Sequence, residues 1–139
     1  MATSPAPDQL IQILRDTIVA LVRRDGPDLS ARQLGVFLTC YLDDNNHTVR
    51  GLAAELHVSK PAITRALDRL GELDLARRKV DPLDRRSVLV QRTLKGTGFL
   101  RDLRTVMAEA ASRSRRAAVE AEEQQHGEVR KATATSESD

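Results

Sequence analysis

Residues 48 to 93 read TVRGLAAELHVSKPAITRALDRLGELDLARRKVDPLDRRSVLVQRT, and this stretch decides the fold. Thr48-Val49 suits a short strand. Arg50 or Gly51 then leads into Leu52-Ala53-Ala54-Glu55-Leu56, about two turns of helix. His57-Val58 makes the turn, and the Ser59 hydroxyl can cap a second helix running through about Leu73. On that helix Ile63, Leu67 and Leu70 recur at helical spacing beside Ala66, which predicts a buried face. Lys60, Thr64, Arg65, Asp68 and Arg69 occupy the opposite face. Alone, a basic amphipathic helix is an ordinary solvated surface. Joined so tightly to a short preceding helix, it predicts a helix-turn-helix.

Working forward, Leu75 to Lys79 and Ser87 to Gln91 read as strands joined by Asp81-Pro82-Leu83-Asp84. Pro82 at a hairpin tip is tolerated, because no ladder hydrogen bond is needed there. Val88 and Val90 alternate with Leu89 and Gln91, a half-buried pattern. Arg77, Arg78, Lys79, Arg85 and Arg86 cluster around the tip, and an arginine on a narrow loop suits a minor groove. Asp84 would repel phosphates, so its expected role is to hold Arg86 or Arg77 by an ion pair. On the helix, Arg can pair with guanine, Ser and Thr can bond phosphates, and the compact Pro61 and Ala62 permit close approach to a groove floor.

The bulk composition agrees. From His57 to Lys95 there are ten Lys or Arg against five Asp or Glu, whereas the remainder has twelve against fifteen. A basic middle in a mildly acidic chain is the footprint of a phosphate-binding surface. Phe37, Tyr41 and Phe99 are the only aromatic residues, which argues against single-strand binding by base stacking. One cysteine, Cys40, excludes an internal disulfide framework and a cysteine-rich zinc site. It lies in an apolar run as a small core residue, with redox sensing as the alternative.

Outward from the centre, 139 residues suit one domain with short extensions: a disordered N-terminus over 1–7, a domain over 8–125 and a disordered tail over 126–139. Asp8 can cap a helix in which Leu10, Ile11, Leu14, Ile18, Leu21 and Val22 show more than one apolar face. Packing on a partner subunit explains that, as does burial within its own domain. Gly26-Pro27 ends this helix, and Ser30 caps another through about Leu42. Thr93 can cap a last helix with an apolar stripe of Leu100, Leu103, Val106, Met107, Ala110 and Ala111. The expected fold is mainly α with a small β-hairpin. The apolar run near the N-terminus is broken by Arg23-Arg24, too short for a membrane span, so a cytoplasmic protein is expected.

The helix-turn-helix followed by LARRKVDPLDRRSVLVQRTLKG resembles the winged-helix regulators of the multiple-antibiotic-resistance (MarR) family. SKPAITRALDRL resembles that family's recognition helix and DPLDRRSVLV its wing, within a similarity spanning roughly Leu29 to Gly96. The resemblance implies a homodimeric regulator, usually a repressor, on a pseudo-palindromic operator in double-stranded DNA. Ser59, Lys60, Ala62, Thr64, Arg65 and Arg69 would form the recognition surface, with Arg85 in the minor groove. Leu10, Ile11, Leu14, Ile18, Leu100, Leu103, Val106 and Met107 would dimerise the chain through its flanking helices. A small-molecule effector, unidentified, is a further possible partner. Two departures stand out: Arg92 occupies a position where leucine is common, and there is apolar material for only one C-terminal dimerisation helix.

No enzyme is expected. His47, His57 and His126 lack the spacing of a metal or acid–base site, and no phosphate loop, nucleophile motif or cofactor motif occurs. The rival reading is a winged helix used as a protein-interaction module, which has no need of Arg65 and Arg85 at groove-reaching positions.

Overall fold

The computed structural model describes residues 4–137. Its elements are α1 (Pro7–Arg23), α2 (Ala31–Leu42), α3 (Val49–Leu56), α4 (Lys60–Glu72), β1 (Ala76–Val80), β2 (Val88–Arg92) and α5 (Leu94–Glu137). The four helices after α1 each open on a hydroxyl that accepts from a backbone N–H of the first turn. Ser30 takes Gln33 (3.1 Å), Thr48 takes Gly51 (2.9 Å), Ser59 takes Ala62 (3.2 Å) and Thr93 takes Gly96 (2.9 Å). The helix α1 starts differently from the Asp8 cap read in the sequence. Pro7 stands at its first turn, and the Gln9 side chain accepts from the Ala6 N–H.

Residues 25–103 form one compact unit, and 4–24 with 104–137 form another, where the sequence suggests one domain over 8–125. In the first unit Val36, Phe37, Leu52, Ile63, Leu70 and Leu75 are fully buried, so α2, α3 and α4 share a core with the root of the hairpin. Phe37 stacks on Tyr41 at 4.3 Å and meets Phe99 edge-on at 5.2 Å. Both sharp turns use a non-glycine residue in the left-handed region, His57 after α3 (φ 55°) and Asp74 after α4 (φ 57°). Each lets later amides return to the helix just left: Val58 N–H to the Ala53 carbonyl, Leu75 N–H to the Leu70 carbonyl.

The strands pair antiparallel from Ala76↔Arg92 to Val80↔Val88. The expected Thr48-Val49 strand is a single bridge, Thr48↔Leu89, supported by the Val90 N–H donating to His47 O. That contact half-buries Val88, Leu89 and Val90 in succession, so β2 lacks the strict alternation read from the sequence.

At the hairpin root the Tyr41 hydroxyl donates to Leu75 O (2.6 Å) and accepts from Thr93 N–H (2.9 Å). Gly96 lies against this junction so closely that a Cβ would stand 1.8 Å from the Tyr41 oxygen and 2.4 Å from Leu75 O. Arg92 caps the C-terminus of α2. Its Nε donates to Cys40 O and its Nη2 to Asp43 O, each at 2.9 Å, and its guanidinium lies over the Tyr41 ring. Burial pushes the neighbouring Cys40 thiol up to about 11, leaving almost none of the reactive thiolate near neutral pH.

In the second unit Thr17, Val106 and Ala110 are buried, and the Thr17 hydroxyl donates back to Ile13 O. Leu10, Ile11, Leu14 and Ile18 are instead largely exposed, as are Val22 and Met107. Three residues assigned to dimerisation require correction: Leu100, Leu103 and Val106 are buried within the chain itself, and Leu100 is part of the winged core. Their stripe is satisfied by the chain's own fold before any partner arrives.

The tail differs as well. Where 126–139 reads as disordered, α5 continues to Glu137, with residues 138 and 139 outside the described residues. Alanine, Glu, Arg and Lys in that run favour helix, whereas Gly127 and, less so, Val129, Thr133, Thr135 and Ser136 do not. At the other end, residues 1–3 of the expected disordered segment lie outside the described residues, and Ser4 to Ala6 precede the helix.

Replacing Tyr41 by Phe leaves Leu75 O and Thr93 N–H without their partner. Urea denaturation should show a loss of about 1–3 kcal/mol. Gly96→Ala should cost more, about 3 kcal/mol or above, since backbone as well as side chain must move. An unchanged midpoint in either variant would contradict the tight root.

Candidate nucleic-acid interface

The helix α4 is fixed by one face, on which Ala62, Ile63, Ala66, Leu67 and Leu70 are buried. Its other face carries Lys60 and Arg65 exposed, with Thr64 and Arg69 half-exposed. The hairpin beside it is organised by carboxylates. Asp81 Oδ1 accepts from Leu83 N–H (2.9 Å), and Asp84 Oδ1 accepts from Arg86 N–H (3.1 Å), so the loop is built of two short side-chain turns. Asp81 N–H to Ser87 O and Ser87 N–H to Asp84 O then close it. At the tip Leu83 is 96% exposed.

Between α4, the start of α3 and the hairpin lies an open groove of about 690 Å³. Arg50, Lys60, Arg78 and Arg86 line it, against Asp84 as the one acidic side chain, with Thr64 among the neutral ones. Two N-terminal helix ends, those of α3 and α4, face the same space. Their free amides add to the positive potential. A groove of this charge suits a phosphate backbone more than a small apolar ligand.

Residues 28–87 match the family model described as the MarR family. Over that span the winged unit resembles the MarR family. The chain is also similar to a crystal structure of MarR, at 26% identity over 94% of this chain and 96% of that one, with a TM-score of 0.60. A structure of CouR from Rhodococcus jostii RHA1 bound to p-coumaroyl-CoA is 28% identical, covering 73% and 68% of the two chains, with a TM-score of 0.55. The S. aureus MepR–DNA complex shares the fold at 17% identity, covering 86% and 92%, with a TM-score of 0.61. No curated protein sequence gives a significant match.

Around the groove and hairpin the candidate cations fall into two groups. Four arginines are engaged by acids of the same chain: Arg69 with Glu72 (3.1 Å), Arg77 with Asp74 (3.0 Å), Arg78 with Asp68, and Arg86 with Asp84 (3.5 Å). Lys60, Arg65, Lys79 and Arg85 have no ion pair among the described residues. Asp84, read in the sequence as a brace for Arg86 or Arg77, contacts Arg86. It holds Arg86 through both backbone and side chain, while Arg77 has Asp74 instead.

Ala62 is a correction. It is 5% exposed and faces the core, because it stands one residue before Ile63 on the buried side of α4. Its small size serves packing, not groove contact. Ser59 uses its oxygen as the cap acceptor for Ala62 N–H, which leaves its hydroxyl proton for a ligand. Arg50 was not among the candidate residues, yet it lines the groove. A signal was present: a cation in the first turn of a helix opposes the helix dipole, so its presence there calls for a negative partner.

Asp84→Ala removes the acceptor for Arg86 N–H but touches no core residue. Exchange of the Arg86 amide should quicken by about tenfold with thermal stability nearly unchanged, measured by hydrogen-exchange NMR. Unaltered exchange would show that the loop holds its form without this carboxylate.

Proposed function

We propose that this protein is a transcriptional repressor that binds double-stranded DNA as a homodimer on a pseudo-palindromic operator. The observation that carries the reading is the basic groove joining α4 to the hairpin, with Lys60, Arg65 and Arg85 free of ion pairs among the described residues. In this reading α4 enters the major groove, with Lys60, Thr64 and Arg65 toward bases and phosphates. Arg85 extends from the hairpin into the adjacent minor groove. The exposed apolar side chains of α1, Leu10, Ile11, Leu14 and Ile18, are the surface that a second copy would cover. The likeness to CouR, seen with p-coumaroyl-CoA bound, supports adding a small-molecule effector to the proposal. Among the described residues no helix is long and apolar enough to cross a membrane. A cytoplasmic location belongs to the same proposal.

If the dimer neutralises about eight phosphates, log affinity should fall against log salt with a slope near −7. Titration of labelled operator DNA across a salt series measures this, and a slope near zero would overturn the DNA reading. Arg85→Ala should weaken binding by about 1–3 kcal/mol, whereas Arg77→Ala, already held by Asp74, should cost about 0.5 kcal/mol or less. Equal losses would remove the distinction between paired and unpaired arginines. Footprints should show half-sites about one helical turn apart.

A further inference from the structure

Beyond Ala111 the side chains of α5 are exposed or half-exposed as far as Ser136, and a helix so lightly packed is marginal in water without a partner. Its charges are segregated: Arg113, Arg115 and Arg116 come first, then Glu120, Glu122 and Glu123. Between them Val119 is 53% exposed. At steps of three and four residues, Ser112, Arg115, Arg116, Val119, Glu122, Glu123 and His126 share one side of the helix. Between Ser112 and His126 the helix offers one opposite-charge pair at i, i+4 spacing, Arg116 and Glu120, and no ion pair joins them. Arg115 Nη2 donates to Ser112 Oγ at 3.3 Å. Four charges on this face, Arg115, Arg116, Glu122 and Glu123, therefore lack ion-pair partners among the described residues.

We propose that this outer part of α5 pairs with the same segment of a second copy, antiparallel, with Val119 of each copy at the two-fold axis. A two-fold interface must be complementary to itself, and this face is so in one direction only. A parallel pair in register sets Arg against Arg and Glu against Glu. The antiparallel pair centred on Val119 sets Arg115 opposite Glu123 and Arg116 opposite Glu122, each occurring twice by symmetry. Ser112 then faces His126, small opposite large, and Val119 faces its own copy. The proposal rests on the homodimer reading above and adds to it a direction, a register and the residues that select the partner. It also gives the polar end of the helix a role: specifying orientation, as charged flanks do in helix pairs.

The test uses the full chain in two charge-reversed forms, Arg115→Glu with Arg116→Glu, and Glu122→Arg with Glu123→Arg. Analytical ultracentrifugation should show self-association of each form weakened by about tenfold or more, because like charges now meet. An equimolar mixture should recover parental affinity, and native mass spectrometry should show heterodimers well above the statistical half. Recovery in the mixture also proves that each form folds.

If both forms dimerise as the parent does and mix statistically, the pairing is overturned while the homodimer stands. A parent that is monomeric at all concentrations overturns both. If the arginine reversal weakens only binding to DNA of arbitrary sequence, the segment is a nucleic-acid contact and the proposal fails.

Discussion

The Tyr41 hydroxyl holds three chain segments at one oxygen: α2, which carries it, the turn before β1 through Leu75 O, and the turn before α5 through Thr93 N–H. The hairpin has little core of its own, since its tip is solvent-exposed and only its root and one edge are covered. Where it points relative to α4 is therefore set at the root. Arg92 reinforces the same place by bonding the last carbonyls of α2 from the end of β2. Together these polar contacts, inside a core otherwise made of Leu, Val, Ile, Ala and Phe, fix a direction that apolar packing alone leaves free.

The electrostatics of the groove follow from that fixed geometry. A basic hairpin with no acids would repel itself and cling to any polyanion. Here Asp68, Asp74 and Asp84 each hold one arginine, so Arg78, Arg77 and Arg86 are ordered and partly neutralised. What projects from this scaffold is a smaller set, Lys60, Arg65, Lys79 and Arg85. Exposed ion pairs of this kind contribute about 0–1 kcal/mol each to stability, so their main effect is on orientation and local charge.

Much of the winged unit could be read from residue order. Hydroxyl caps at Ser30, Ser59 and Thr93, and helical spacing on α4, depend on neighbours a few positions apart, which a sequence displays directly; the cap at Thr48 was passed over for a strand. The family likeness rested on the same stretch. Contacts between distant positions were harder. Arg92 stood out only as a departure, and its bonds to Cys40 and Asp43 required the fold to bring residues 49 or more apart together. Ala62 was misread because a small residue suits both a groove and a core, and only the face it occupies decides. The apolar stripe on α5 showed that Leu100, Leu103 and Val106 are covered, but periodicity carries no information on whether a neighbour or a second chain covers them. Arg50 was passed over because the flanking apolar residues dominated the reading of α3.

Gly96 has an evolutionary consequence. A position closed by one side chain can usually reopen when that side chain changes, so the two drift as a pair. Position 96 has no such escape: trimming Tyr41 to Phe leaves the ring carbon that a Cβ would approach to 2.6 Å, and Leu75 O, at 2.4 Å, is backbone and present whatever residue stands there. Sequence change at this site is blocked by the path of the chain and not by its neighbours' identities. Any lineage keeping this hairpin root inherits the glycine with it, while replacing Tyr41 is sterically open and costs the polar contacts of the root.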